Sequence, residues 1–109
     1  MSEQAHRLRE AVIERVVRGS GTSTAAQREA AFTAEGVDPR ARPLIDKVAQ
    51  HAYKTTSEDV AAAKAAGLTE DQIFELVVSA ALGQATRQLE AATAALDAAF
   101  ADAPAGAAS

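Results

Sequence analysis

The sequence predicts an all-α protein, on three observations. No segment alternates polar and apolar residues long enough to form a strand. Apolar residues instead recur at steps of three and four, between cap and breaker residues that divide the chain into about five helices. In addition, 29 of the 109 residues are alanine, which loses no side-chain entropy in a helix. One helical domain over residues 1–100 is expected, with a flexible tail at 101–109.

The first helix is expected over "SEQAHRLREAVIERVVRG". Leu8, Val12 and Val16 step by four, Ala5, Ile13 and Val17 widen the stripe, Ser2 can cap it and Gly19 ends it. "SGTS" reads as a turn. The second helix, "TAAQREAAFTAEG", carries Thr24 and Gln27 at capping-box spacing, Ala31 and Phe32 as buried contacts, and Gly36 at a left-handed C-terminal position. Pro39 and Pro43 break the chain, with Pro43 in the first turn of a third helix, "PLIDKVAQHAY". Leu44, Ile45, Val48, Ala49, Ala52 and Tyr53 form its apolar face. "KTT" interrupts, and Thr56 or Ser57 caps a fourth helix whose acids Glu58 and Asp59 suit the positive end of the helix dipole. Gly67 closes it. The fifth helix starts at Thr69, again with a capping-box partner, Gln72. Residues 73–82 are apolar nearly all round, as in a central helix. Beyond Gly83 a narrow seam of Leu82, Ala85, Leu89, Ala92, Leu96 and Ala99, with Phe100 beside it, keeps heptad spacing and suits a partner helix in this chain or another.

Composition narrows the function. Seven Leu, three Ile, eight Val and three Phe make a thin core, so oligomerisation is expected. The net charge is −4, with nine Lys/Arg and seven Asp/Glu in residues 1–54 against two and eight in residues 55–109. Such halves can dock on each other or on a neighbour. The arginines have no interleaved aromatics, and no nucleic-acid partner is expected. The absence of cysteine excludes disulfides, thiolate metal sites and thiol chemistry. No apolar run is long enough to span a membrane, the charged start lacks a secretory signal, and a cytoplasmic location is expected.

Little chemistry is spelled out. Two distant histidines, His6 and His51, do not make a zinc site, and no metal or cofactor is expected. "GSG" lacks the rest of a phosphate loop. Ser79 and Thr86 fall inside a helix, where small hydroxyls bond backbone carbonyls. The one chemically mixed stretch is "HAYKTTSED", residues 51–59. There His51 could act as acid or base and Tyr53 could donate to an oxyanion, while Lys54 or Arg87 could hold a carboxylate. His51 and Tyr53 diverge on a continuous helix and share a pocket only if the helix ends between them. A structural reading stands beside this one, in which Tyr53 packs its ring and His51 and Lys54 favour a helix C-terminus.

Residues 44–97 resemble the core of the alkylhydroperoxidase D-like/carboxymuconolactone decarboxylase family. The resemblance rests on Ala66-Gly67-Leu68-Thr69-Glu70, Ile73, the apolar run to Leu82, and Arg87 with Leu89. It implies antiparallel helices assembled as trimers or hexamers, with pockets near subunit contacts. It also places the family's two cysteines at Ala52 and Thr55, its histidine at Asp59, and its upstream glutamate near Arg40. The redox set is therefore replaced, and thiol peroxidase activity is not expected. Two functions stay open. One is a cysteine-free homo-oligomer that binds a carboxylate or lactone, with a lyase-type role for His51 and Tyr53 and binding by Lys54, Thr55, Asp59 and Arg87. The other is a non-catalytic assembly subunit for a paralogue or another protein.

Overall fold

The computed structural model describes residues 3–101. It contains five α-helices: α1 (Glu3–Arg18), α2 (Ala25–Thr33), α3 (Arg42–His51), α4 (Ser57–Ala65) and α5 (Glu70–Ala101). A single 3-10 turn, Ala52–Lys54, joins α3 to α4. There is no strand among the described residues, and none of the helices is long and apolar enough to cross a membrane. The cap expected at Ser2 and the tail from 102 onward lie outside the described residues.

The caps form as their spacing requires. Thr24 accepts from the Gln27 amide at 3.0 Å and Gln27 returns the bond at 2.8 Å. Thr69 and Gln72 do the same at 3.1 and 3.0 Å. Each box satisfies donors that the first helical turn leaves open. At the end of α2 the left-handed residue is Ala34, two positions before the expected Gly36, although Gly36 is left-handed as well. The amides of Ala34 and Glu35 bond Ala31 O and Ala30 O there and close the helix earlier than the glycine.

α5 is the spine. Leu44, Ile45 and Val48 of α3 pack with Ile73, Leu76 and Ala80 of α5. Ala31, Val37, Ala41, Ala63 and Leu68 complete this cluster from the neighbouring segments. Burial of each large side chain contributes about 1.5–3 kcal/mol. α2 crosses α5 at Gly83, where an added Cβ would lie 1.9 Å from Phe32 O. Only a glycine permits so close an approach of backbone to helix.

α1 runs back along α5. Thr22 and Ser23, just after it, bond Glu75 near the start of α5, while Glu3, His6 and Arg9 flank a hollow shared with Glu90, Thr93 and Asp97. The molecule is elongated, 61 × 28 × 20 Å. Two expectations are corrected here. In α1 the buried residues are Ile13 and Val17, while Leu8 and Val12 are 61% and 50% exposed. The apolar arc of α1 is wider than the surface that α2 and α5 offer it. In α3 the buried face stops at Ala49, and Ala52 and Tyr53 are exposed, because the helix ends at His51.

Candidate functional site

The segment 51–59 is a tight corner between α3 and α4. His51 adopts φ −147°, ψ 59°, which ends the α-helix, and Thr55 N closes the 3-10 turn on Ala52 O at 3.1 Å. Thr56 must then be extended to cap α4, so the chain cannot continue as one helix. This break brings together two rings that a continuous helix would point apart. His51 and Tyr53 meet edge to face with centroids 6.0 Å apart, and Lys54 Nζ lies 5.8 Å from the Tyr53 ring centre. Tyr53 is nevertheless 81% exposed. It borders a shallow hollow of about 360 Å³ against Ala81, Ala85 and Gln88 of α5.

The other polar residues of the segment hold the corner together. Asp59 accepts from Lys47 Nζ with both oxygens at 2.9 Å, and from Thr56 N at 2.9 Å, completing a capping box with Thr56. The Lys47 ammonium, with the Thr56 donors, holds the Asp59 carboxyl below the usual range. Thr55 Oγ1 is buried without a hydrogen-bond partner. Ala52 begins the exposed 3-10 turn, Thr55 is half-buried, and Asp59 is bound to Lys47 and Thr56. Replacing Thr56 with alanine is expected to cost about 1 kcal/mol, visible as a fall of roughly 4–8 °C in the thermal midpoint. An unchanged midpoint would mean that the cap does not hold the corner.

Arg87 is drawn elsewhere. Its Nη1 donates to Phe32 O at 2.7 Å, which places a guanidinium on the C-terminal carbonyls of α2, and its Nη2 donates to Gln84 at 3.2 Å. His51, Tyr53 and Lys54 thus converge, while Asp59 and Arg87 are engaged with Lys47 and α2. Among the described residues no group of three His, Asp or Glu side chains could hold a metal. Thr86 bonds Leu82 O at 2.7 Å, as expected for a helical hydroxyl, but Ser79 Oγ is buried and unpaired.

The most elaborate polar site escaped the sequence. Glu75 turns from α5 into the loop between α1 and α2. It accepts from Thr22 N and Oγ1 at 2.9 Å, from Ser23 N at 2.8 Å, and from Ser23 Oγ. Burial pushes the Glu75 carboxyl up, but these donors outweigh it and bring its pKa down to about 2. Beside it Arg28 is buried, and its Nη2 donates to Gly19 O at the end of α1. Gly21 fits between the two, because a Cβ there would strike Arg28 Nη1 and Glu75 Oε1 at 2.5 and 2.7 Å. The available signal was a lone carboxylate in an otherwise apolar run, which needs partners when buried.

The expected seam on α5 is exposed from Ala85 to Phe100, while its first member, Leu82, is half-buried, as is Val78 one turn before it. Phe74, Leu89, Leu96 and Phe100 are 69%, 40%, 57% and 74% exposed, and Ala81, Ala85, Ala92 and Ala99 between them are exposed too. The charges of this stretch sit on the other side. Glu75 and Arg87 bind the α1–α2 loop and α2, and Glu90 and Asp97 border the hollow against α1. The outward face from Phe74 to Phe100 therefore carries no charge, with Gln88 as its polar residue. No family model, curated protein or solved structure matches the chain.

Proposed function

We propose that the chain is a non-catalytic assembly protein, a homo-oligomer joined through the outward face of α5, on a cysteine-free scaffold of the alkylhydroperoxidase D-like type. The uncharged, exposed apolar side of α5 carries this reading. A helix facing water keeps its charges outward and its apolar stripe inward. α5 buries Ile73, Leu76 and Ala80 but also turns an uncharged apolar side, from Phe74 to Phe100, to solvent, and contiguous exposed apolar surface of this kind marks an interaction site. The chemistry-bearing residues favour assembly over a lyase role: Asp59 and Arg87 are occupied in holding helices, and the paired rings of His51 and Tyr53 stand in solvent.

Light scattering at rising concentration tests it. The expected mass is at least twice the 11.2 kDa of the chain. Leu96→Asp is expected to weaken association more than tenfold while helical circular dichroism is kept, since an unpaired carboxylate in an apolar contact costs about 2–5 kcal/mol. Leu96 touches little of its own chain, which separates dissociation from unfolding. A wild-type monomer at high concentration, or an oligomer indifferent to Leu96→Asp, overturns the proposal.

A further inference from the structure

We infer that the occupant of this face is α5 of a second copy, lying antiparallel about a two-fold axis that passes between Ala85 and Leu89. The inference rests on the assembly reading above and specifies its geometry. Numbering the face outward from that axis pairs Ala85 with the partner's Leu89, Leu82 with the partner's Ala92, Val78 with the partner's Leu96, and Phe74 with the partner's Phe100. Near the axis each large side chain meets an alanine, which is how facing helices interdigitate without voids. In a parallel pair Leu89 and Leu96 would each meet their own copies and Ala85 and Ala92 theirs, giving crowded layers next to empty ones. The antiparallel face is self-complementary, as a two-fold contact must be.

Area brings in the corner at residues 51–54. The stripe from Phe74 to Phe100 is about 39 Å long on a helix about 10 Å across, so it offers roughly 400 Å² per copy. Two such faces bury about 800 Å², short of the ~1,200 Å² at which stable interfaces begin. Tyr53 stands beside Ala85, close to the axis, with most of its ring in solvent. In the paired arrangement it covers the partner's Leu89, and a tyrosine from each side adds ~150–200 Å² apiece. That brings the total to the threshold. The break of α3 at His51 thus has a use: it holds an aromatic ring out of its own core, steadied by His51 and Lys54, for the partner helix. A two-fold contact makes dimers or even-numbered assemblies, so a lone trimer is not expected.

The chain has no cysteine, so single thiols can be placed without background. Val78→Cys and Leu96→Cys chains, mixed and treated with a short bismaleimide, are expected to give a crosslinked pair, while each chain alone gives none. The two positions are about 27 Å apart along one helix, beyond the reagent's reach. Self-crosslinking of either variant, or no crosslink in the mixture while light scattering still reports an oligomer, overturns the antiparallel register and leaves assembly standing. Tyr53→Ala is expected to raise the dissociation constant at least tenfold without loss of helicity. An unchanged constant overturns the role of Tyr53. A wild-type monomer removes both readings together.

Discussion

Gly83→Ala is expected to lower the thermal midpoint by roughly 12–24 °C, although alanine is the better helix former. Two effects oppose each other. In a helix interior the change from glycine to alanine favours folding by about 1 kcal/mol. Against it, the new Cβ would sit 1.9 Å from Phe32 O, 2.7 Å from Phe32 C and 3.0 Å from its Cα. These are backbone atoms, and no rotamer change moves them away. α2 has to lift from α5, and it is held there by the fully buried Ala31 and by Arg87 Nη1 on Phe32 O at 2.7 Å. Overpacking costs about 1–3 kcal/mol, and a lost charge-assisted hydrogen bond about 1.5–3 kcal/mol more. The steric side wins by about 3 kcal/mol, and each kcal/mol moves the midpoint of a domain this size by roughly 4–8 °C. Thermal unfolding followed by circular dichroism checks it. A midpoint that rises would show that helix propensity decides and that α2 does not hold its place against α5.

The features legible in the sequence were those decided within a few residues. Thr24 with Gln27 and Thr69 with Gln72 needed only three-residue spacing, and both boxes form. Gly67 closes α4 with φ 110°, a backbone position that a side chain resists. The all-helical class followed from the same local signals. What failed depended on neighbours in space. Ala52 and Tyr53 continue the spacing of Val48 and Ala49, yet the demand of Thr56 for an extended cap ends α3 before them. Leu8 and Val12 keep helical spacing too, but periodicity does not say how much of a wide stripe the rest of the chain can cover. Residues 73–82 read as buried all round. Three sides are covered, and the side bearing Phe74 and Ala81 is open.

The same division runs through the candidate site. Asp59 was legible as an acid at a helix start, and the structure adds Lys47 from α3 as its ion-pair partner. The meeting of the His51 and Tyr53 rings was legible only as a condition, that α3 should end between them, and the structure meets it. The Glu75 cradle was not legible, because its partners Thr22 and Ser23 lie 53 and 52 positions away. The hydroxyls of "SGTS" read as an ordinary turn until a carboxylate faces them.

That cradle yields the second large effect. Glu75→Gln is expected to cost about 2 kcal/mol at neutral pH, and the loss should fade in acid. In the folded chain the Glu75 pKa lies at about 2, below its ordinary 4.5. The native state therefore binds this proton more weakly than the unfolded chain does. The stabilisation is present in full above about pH 4.5 and is lost as pH falls toward about 2. A shift of this size corresponds to about 3 kcal/mol at face value, and water at the carboxylate edge trims it to about 2 kcal/mol. A glutamine keeps the shape but loses the charge and turns its NH2 toward one of the two backbone amides, Thr22 N or Ser23 N, which can only donate, while the neighbouring hydroxyl can rotate to accept. Asp38, brought to about 2 by Arg40, titrates in the same window, so the informative quantity is the difference between wild type and variant. Urea unfolding of both chains between neutral pH and pH 3 measures it. The gap should be widest at neutral pH and narrow below about pH 4.5. A constant gap would mean that Glu75 acts by shape alone. The consequence reaches the proposed interface, since Glu75 and Arg28 together fix the turn that lays α1 and α2 along the inner side of α5. With that side filled, the charge-free side is left facing outward. Loosening the cradle should therefore weaken association as well as folding, and in acid both should decline together.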